Sequence, residues 1–387
     1  LFLPTADAGR GISDAARETY AIVNTRRRMA NEEPLAPKGG ARYHFSLPGS
    51  THGFRAVENP NNHNLLTLEH ATLPDTGDTP GLALHYRHVT RTTPVFAAVP
   101  TFLQPDDFQM RGYTLTASPT LYSGQTIRSR VVADPGNTDP VYAALAVQRY
   151  NRDDELVRIE GPGESLRPGD AVDLNWVLEP TRGFPAANIG VALHSDTRTS
   201  GTVVLDYLTW SGSPDVTFPV EPQGDAWKRA WVHDTEAFGQ SLERRAYWTS
   251  CHDKRGLVYQ GTRDWEDYRV DAALEIKLAD SAGLLARVQG LRRFYALEFV
   301  RGGRLRLLKV RDEARLLAET EFPFQFEKHC DLSFEVKGSH LLASVDGRTV
   351  LEADDPELPL SGGAAGFTVD KGMIYVADFK VSPVAST

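Results

Sequence analysis

The stretch Tyr295-Ala-Leu-Glu-Phe-Val-Arg-Gly-Gly-Arg-Leu-Arg-Leu307 contains two adjacent glycines between two apolar runs. Glycine adopts the positive φ angles that tight hairpin turns require, so Gly302-Gly303 predicts a hairpin between these runs. Asp346-Gly347 gives the same signal between residues 341–345 and 349–351. The two turns predict that this part of the chain consists of antiparallel β-strands.

The same pattern extends over most of the chain. From Arg42 onward, short runs rich in Val, Tyr, Thr and Leu alternate with Gly, Pro, Asn and Asp about every 8–12 residues. Strands are predicted at residues 113–116, 127–132, 142–150, 203–210, 268–276, 283–288 and 375–381. No long helical stripe interrupts them. The predicted fold class is therefore all-β, with two tandem β-sandwiches.

The chain of 387 residues is long enough for two domains. A stretch rich in Gly, Pro and Ser at 211–225 predicts the boundary between a jelly-roll sandwich at 42–215 and a second sandwich at 225–387. Residues 1–41 form a predicted helical leader, with a helix at 12–30 that needs a partner to pack against. Because residue 1 is Leu, we expect the sequence to begin inside a longer gene product.

Charge and cysteine content restrict the partners. The net charge is -9, which argues against nucleic acid and anionic membranes, because both require a basic face. No run approaches the roughly 20 apolar residues of a membrane span. Cys251 and Cys330 are the two cysteines. They form either one disulfide or two buried thiols, and the compartment is left open.

Carboxylates recur in spacings that some hydrolases use for catalysis. Glu352-x-Asp354-x-x-Glu357 has the spacing of a retaining glucanase motif, which needs two carboxylates on one strand face. Asp355-Pro356 breaks the strand before Glu357, so a surface loop is predicted instead. Three Asp-Asp pairs, at 106–107, 153–154 and 354–355, are predicted to be solvated turns. No catalytic set is predicted in this chain.

Polar and aromatic residues around one hairpin indicate a sugar site. Sugars are bound by flat aromatic faces and by fixed hydrogen-bonding groups, and Arg can bond two hydroxyls at once. Strand alternation predicts that Arg287, Gln289 and Tyr295 face one surface. The predicted ligand-binding residues are Arg287, Gln289, Arg292, Tyr295, Trp265 and Tyr268. The alternative is a core tryptophan beside a charged solvent face.

Several motifs together resemble known families. They are Trp265-Glu-Asp-Tyr-Arg-Val270, Gly283-Leu-Leu-Ala-Arg287, Tyr295-Ala-Leu297, Asp346-Gly347, Gly366-Phe367 and Asp378-Phe-Lys-Val381. Their order resembles the concanavalin-A-like and laminin-G-like sandwiches. The run 201–210 is similar to the last strand of galactose-binding-like jelly rolls. The whole order is similar to the C-terminal region of bacterial ADP-ribosylglycohydrolase family proteins.

The resemblance implies a non-catalytic region that binds a carbohydrate or glycoconjugate and serves a larger hydrolase, with the catalytic domain upstream. Two alternatives are kept: a glycoside hydrolase acting from the second sandwich, and a structural or oligomerising region. No cofactor is predicted. Asp206 and Asp378 stand on terminal strands, where such folds sometimes hold calcium, although a hydrogen bond within the strand is favoured.

Overall fold

The structure is a computed structural model that describes residues 41–57, 64–102, 117–220 and 224–384. The helix predicted at 12–30, the strand predicted at 113–116 and the pair Asp106-Asp107 lie outside these residues. Within them the molecule is almost entirely β-structure, so the predicted fold class is confirmed.

The first half of the described chain forms two five-stranded antiparallel sheets. Its strands are β1 (Arg55–Ala56), β2 (Leu66–Thr72), β3 (Pro80–Val89), β4 (Val95–Pro100), β5 (Thr126–Ala133), β6 (Val141–Tyr150), β7 (Leu156–Leu166), β8 (Ala171–Val177), β9 (Ala186–His194) and β10 (Thr199–Ser211). The strand orders are β1-β4-β9-β6-β7 and β2-β3-β10-β5-β8. Alternate residues of both sheets, such as Leu84, Leu205 and Val191, are buried in one apolar core. This is the expected packing of a sandwich.

The second half of the described chain begins with β11 (Val216–Thr217), and one short helix and twelve further strands follow. The elements are α1 (Ala226–Arg229), β12 (Val232–His233), β13 (Ala237–Ser241), β14 (Ala246–Gln260), β15 (Tyr268–Leu278), β16 (Ser281–Gly290), β17 (Arg293–Val300), β18 (Arg304–Arg311), β19 (Glu313–Glu321), β20 (His329–Lys337), β21 (His340–Val345), β22 (Arg348–Asp354) and β23 (Ala364–Pro383). Gly302 and Gly303 have φ values of 100° and 81°, as the hairpin between β17 and β18 requires.

Two long strands are shared by both layers of this second sandwich. In the front sheet, the first part of β23 lies between the end of β14 and strand β16. Strands β17, β18 and β19 follow β16 in that order. In the back sheet, the second part of β23 lies between the start of β14 and strand β15. Strands β20, β21 and β22 follow β15 in that order. The core between the sheets includes an aromatic cluster around Trp231, Phe367 and Phe379.

The bend that carries β23 from one sheet to the other lies at Lys371-Gly372. Lys371 has a positive φ of 48°, and the pairing with β14 shifts between Cys251 and Arg255. A Cβ atom on Gly372 would lie 1.8 Å from the carbonyl oxygen of Leu278. Glycine therefore allows the backbones of β23 and β15 to approach each other at this bend.

The two halves are in contact. Residues Val216–Thr217, inside the predicted linker, pair with β23, and Phe218 packs in the second core. Tyr122, from the first half, packs edge-on against Trp265 with ring centroids 4.6 Å apart. The division into domains at 42–215 and 225–387 stays a proposal, and the contacts suggest that the second unit starts near residue 212.

Cys251 and Cys330 are both free thiols, so the disulfide alternative is wrong. Burial and the nearby carboxylates of Asp346 and Asp331 raise the pKa of the Cys330 thiol to about 12. Within the described residues, no helix is long and apolar enough to cross a membrane.

Candidate functional site

Arg287 is buried, with 2% of its surface exposed, and does not face the solvent as alternation predicted. The reason is a β-bulge: the pairing of β16 with both neighbours shifts between Leu285 and Gly290, and Arg287 has a positive φ of 49°. A bulge inserts an extra residue and breaks the alternation of faces. Ala286 and Arg287 consequently both point toward the core side of the strand.

The Arg287 guanidinium satisfies backbone carbonyl groups. It donates to the carbonyl oxygens of Glu266 at 3.0 Å, Gly338 at 2.5 Å and Leu360 at 2.6 Å. It also pairs with the Asp267 carboxylate at 2.9 Å. Four of its five N–H groups are used within the protein, so this buried side chain joins loops and does not present its guanidinium to a ligand.

The two predicted aromatic binding residues are also buried. Trp265 and Tyr268 are both 0% exposed. Trp265 lies at the contact between the two halves, and the Tyr268 hydroxyl donates toward the carbonyl oxygens of Gly363 and Ala364. Neither ring offers a face to a sugar. The alternative that the sequence left open, a core tryptophan, describes the structure.

Tyr295 anchors the loop at 355–362 that closes this end of the sandwich. Its hydroxyl lies 2.6 Å from Asp355 Oδ2 and accepts a hydrogen bond from the Leu360 backbone N–H at 2.9 Å. Burial and the neighbouring Asp355 carboxylate raise the pKa of Tyr295 above its ordinary value. The phenol therefore stays protonated and donates to Asp355 at neutral pH.

Lys309 completes this anchor. Its ammonium group lies 2.6 Å from Asp355 Oδ2 and donates to the carbonyl oxygens of Glu357 at 2.7 Å and Leu358 at 2.9 Å. The predicted site residue Gln289 donates to the carbonyl oxygen of Gly362 at 2.7 Å. Side chains from three strands thus hold the loop at several points along its length.

Between this loop and the ends of β16, β17 and β18 lies a cavity of about 190 Å³, which we call the edge cavity. It is lined by Gln289, Arg293, Arg311, Leu358, Pro359, Leu360 and Ser361. Arg293 and Arg311 are exposed and Gln289 is half-buried. The edge cavity thus combines planar polar groups with an apolar wall on a fastened loop. Of the six predicted binding residues, Gln289 lines it.

Arg292 lies beside the edge cavity but outside its wall. Its side chain is 72% exposed and pairs with Asp312 at 3.7 Å. The lining residues outside the predicted set are Arg293, Arg311, Ser361 and the apolar run 358–360. Arg311 could have been found, because the Gly302-Gly303 turn fixes the pairing of β17 with β18 and places it opposite Arg293.

A second cavity, of about 250 Å³, lies at another place on the second sandwich. Phe299, Phe322 and Phe324 contribute to its wall, together with Cys330 and His329. The raised pKa of Cys330 leaves its thiol protonated at neutral pH and weakly nucleophilic. Its lining also includes Gln325, Lys328 and Asp346, and none of the six predicted binding residues lies in it.

The carboxylates of the glucanase-like motif do not assemble. Glu352 and Asp354 lie on β22, a strand and not the predicted loop, and both contact His340, at 3.4 Å and 3.2 Å. Glu357 is on the closing loop and pairs with Arg315. Asp355 is buried, so the prediction of a solvated turn at 354–355 is wrong for this residue.

In the described part of the chain, no group of three or more His, Cys, Asp and Glu residues could hold a metal ion. Asp206, one of the two calcium candidates, pairs with Arg130 at 3.2 Å. Asp378 lies at a bulge of β23 with a φ of 52°.

No sequence family and no curated protein matches this chain. Similar solved structures include a carbohydrate-binding module, CBM66, from Bacillus subtilis, with 17% identity, 39% of this chain and 94% of that chain covered, and a TM-score of 0.36. Another is a protein of unknown function with a galectin-like fold from Bacillus subtilis, with 13% identity and a TM-score of 0.37. The match covers 46% of this chain and 99% of that chain. The tandem CBM22 domains of Paenibacillus barcinonensis Xyn10C show 9% identity and a TM-score of 0.32. That match covers 89% of this chain and 97% of that chain. Likenesses of this size say nothing about ligands.

Proposed function

We propose that this protein binds carbohydrate, and that the edge cavity receives one sugar residue at the end of a glycan. The observation that carries this proposal is the wall of the cavity. Two guanidinium groups and the Gln289 amide supply planar, polar hydrogen-bonding groups, and the run 358–360 supplies an apolar surface. Sugars require both, because their rings present hydroxyl groups at the edge and C–H groups on the face.

The size of the edge cavity supports a single-ring ligand. At about 190 Å³ it is smaller than the roughly 300–1,000 Å³ pockets that enclose drug-sized ligands. Rigidity supports binding as well. The loop is held by Lys309, Tyr295 and Gln289, so little conformational entropy remains to be lost when a ligand enters.

The test is binding of the whole chain to a glycan array, followed by calorimetry on any glycan retained. Ser361→Trp places a large ring at the cavity wall and should abolish binding. Leu242→Trp is the matched control, because Leu242 is an exposed apolar residue away from the cavity. Equal binding by both variants would contradict the edge cavity as the site. Turnover of a glycan would favour the glycoside-hydrolase alternative, and no binding to any glycan would favour a structural region.

We also propose that this binding serves a hydrolase encoded in the same gene product. The finer assignment to ADP-ribosylglycohydrolase family proteins finds no support in the comparisons and stays a prediction from motif order. The open reading frame before Leu1 tests this assignment. The resemblance implies a catalytic domain with pairs of aspartates on helices, so such a domain upstream would support it and any other upstream domain would contradict it.

A further inference from the structure

The cations around the edge cavity outnumber their partners. Arg287 pairs with Asp267, Arg292 with Asp312, Lys309 with Asp355, and Arg315 with Glu357. Arg293 and Arg311 are left over, and neither guanidinium forms an ion pair or hydrogen bond within the described residues. The neighbouring carboxylate that remains is Glu313, which lies opposite Arg311 on β19 without forming an ion pair. This local excess of positive charge occurs in a chain with a net charge of -9.

The two unpaired arginines are also direct neighbours. Arg293 and Arg311 are opposite each other in the antiparallel pairing of β17 with β18. Directly opposite residues have Cβ atoms about 4.5–5.5 Å apart, and like charges in such positions destabilise the sheet. An anion between the two guanidinium groups would remove that repulsion and accept hydrogen bonds from both.

We infer that the sugar residue bound in the edge cavity is acidic, carrying a carboxylate or a sulfate ester that lies between Arg293 and Arg311. This inference rests on the proposed function and names its substrate class. Of the other lining residues, Gln289 and Ser361 form hydrogen bonds with the ring hydroxyls, and the run 358–360 covers the C–H face. Each of these anions has at least two acceptor oxygens on one central atom, so it can accept two hydrogen bonds from a guanidinium fork.

The experiment compares three sets of oligosaccharides of equal length: neutral, uronic-acid-terminated and sulfated. Calorimetry of the full chain should show binding of one acidic set, with affinity falling as the salt concentration rises from 50 mM to 500 mM. Arg293→Gln and Arg311→Gln should each lower that affinity about tenfold to a hundredfold. The two acidic sets distinguish a carboxylate from a sulfate ester, and binding of either supports the inference.

The matched control is Arg304→Gln, which removes one cation from β18 at the end opposite the cavity, where Arg304 pairs with Glu319. It should leave the affinity unchanged. A readout without ligand separates binding from folding: Arg293→Gln removes a like-charge contact, so its melting temperature should equal or exceed that of the wild type. A lower melting temperature would overturn the inference, because the pair would then be needed for the fold.

The outcomes separate this inference from the proposal beneath it. Binding of the neutral set in the edge cavity, insensitive to salt and to both Arg→Gln changes, overturns the acidic ligand and leaves carbohydrate binding intact. Absence of binding by all three sets and across the array overturns the proposed function itself.

Discussion

The hydroxyl of Tyr295 and the carboxylate of Asp355 are 2.6 Å apart and join strand β17 to the loop that closes one end of the second sandwich. The two residues are 60 positions apart in the sequence. Together with Lys309 they form a buried cluster of one cation, one anion and one phenol. This cluster holds the loop that forms one wall of the edge cavity.

Tyr295→Phe tests that anchor. The change leaves the Leu360 N–H without its acceptor and Asp355 without one donor, which should lower the free energy of unfolding by about 1–3 kcal/mol. Glycan affinity should fall too, because the loop that forms the cavity wall is loosened. Urea unfolding measures the first effect and calorimetry the second. Tyr375→Phe is the control, since the Tyr375 hydroxyl forms no hydrogen bond within the described residues, and it should change neither quantity.

Arg287→Ala is expected to damage the fold. Strand alternation predicts a surface position for Arg287, from which its loss would cost little, whereas the side chain is buried. Removing the side chain leaves the carbonyl oxygens of Glu266, Gly338 and Leu360 without this donor. Asp267 keeps the Gly338 N–H but loses its cation. The free energy of unfolding should therefore fall by about 3 kcal/mol or more. Arg292→Ala, a change at an exposed ion pair, should cost less than about 1 kcal/mol. Equal denaturation midpoints for the two variants would contradict this role.

Acid stability should depend on Glu275, a carboxylate on the back sheet with 4% side-chain exposure. Burial alone would raise its pKa, but Lys277, Arg244 and His329 outweigh burial and lower the pKa below the ordinary value of 4.5. The unfolded chain then binds this proton more readily, so the stability that Glu275 provides is present above pH 4.5 and is lost as the pH falls further.

The measurement is the free energy of unfolding in urea at steps from pH 7 to pH 3, for wild type and Glu275→Gln. The variant should be less stable near neutral pH and should lose stability less steeply below pH 4.5. Parallel curves for the two proteins would show that Glu275 titrates alike in both states, contrary to this expectation.

The domain boundary can be tested with two fragments of the second unit. A fragment of 212–387 keeps strand β11 and Phe218, whereas 225–387 lacks both. Phe218 is 3% exposed and packs against Trp231, so its loss should cost about 3–5 kcal/mol. The longer fragment should therefore melt at the higher temperature. Equal melting temperatures would place the boundary at 225, as the composition of the linker predicts.

Local sequence signals predicted the strands well and the site poorly. The Gly302-Gly303 and Asp346-Gly347 turns lie where their glycines indicate, because turn chemistry acts over a few residues. Arg287 was assigned to the wrong side because a bulge depends on how β16 pairs with two distant strands. The loop 355–362 carries no local signal of its function, since its partners Lys309, Tyr295 and Gln289 come from other strands. Alternation holds within a regular strand and fails where tertiary pairing interrupts it.

Strand β23 has a consequence for how the protein is made. It is the last strand of the second sandwich, yet it lies in the middle of both sheets, with partners on each side. Until the ribosome has released residues 364–383, strands β14, β15 and β16 lack their shared neighbour, and their hydrogen-bonding edges and apolar faces stay open. The second sandwich therefore cannot assemble stepwise during translation, whereas every strand of the first is complete by residue 211. A premature stop codon before residue 364 should yield a chain in which the first sandwich folds and the second aggregates.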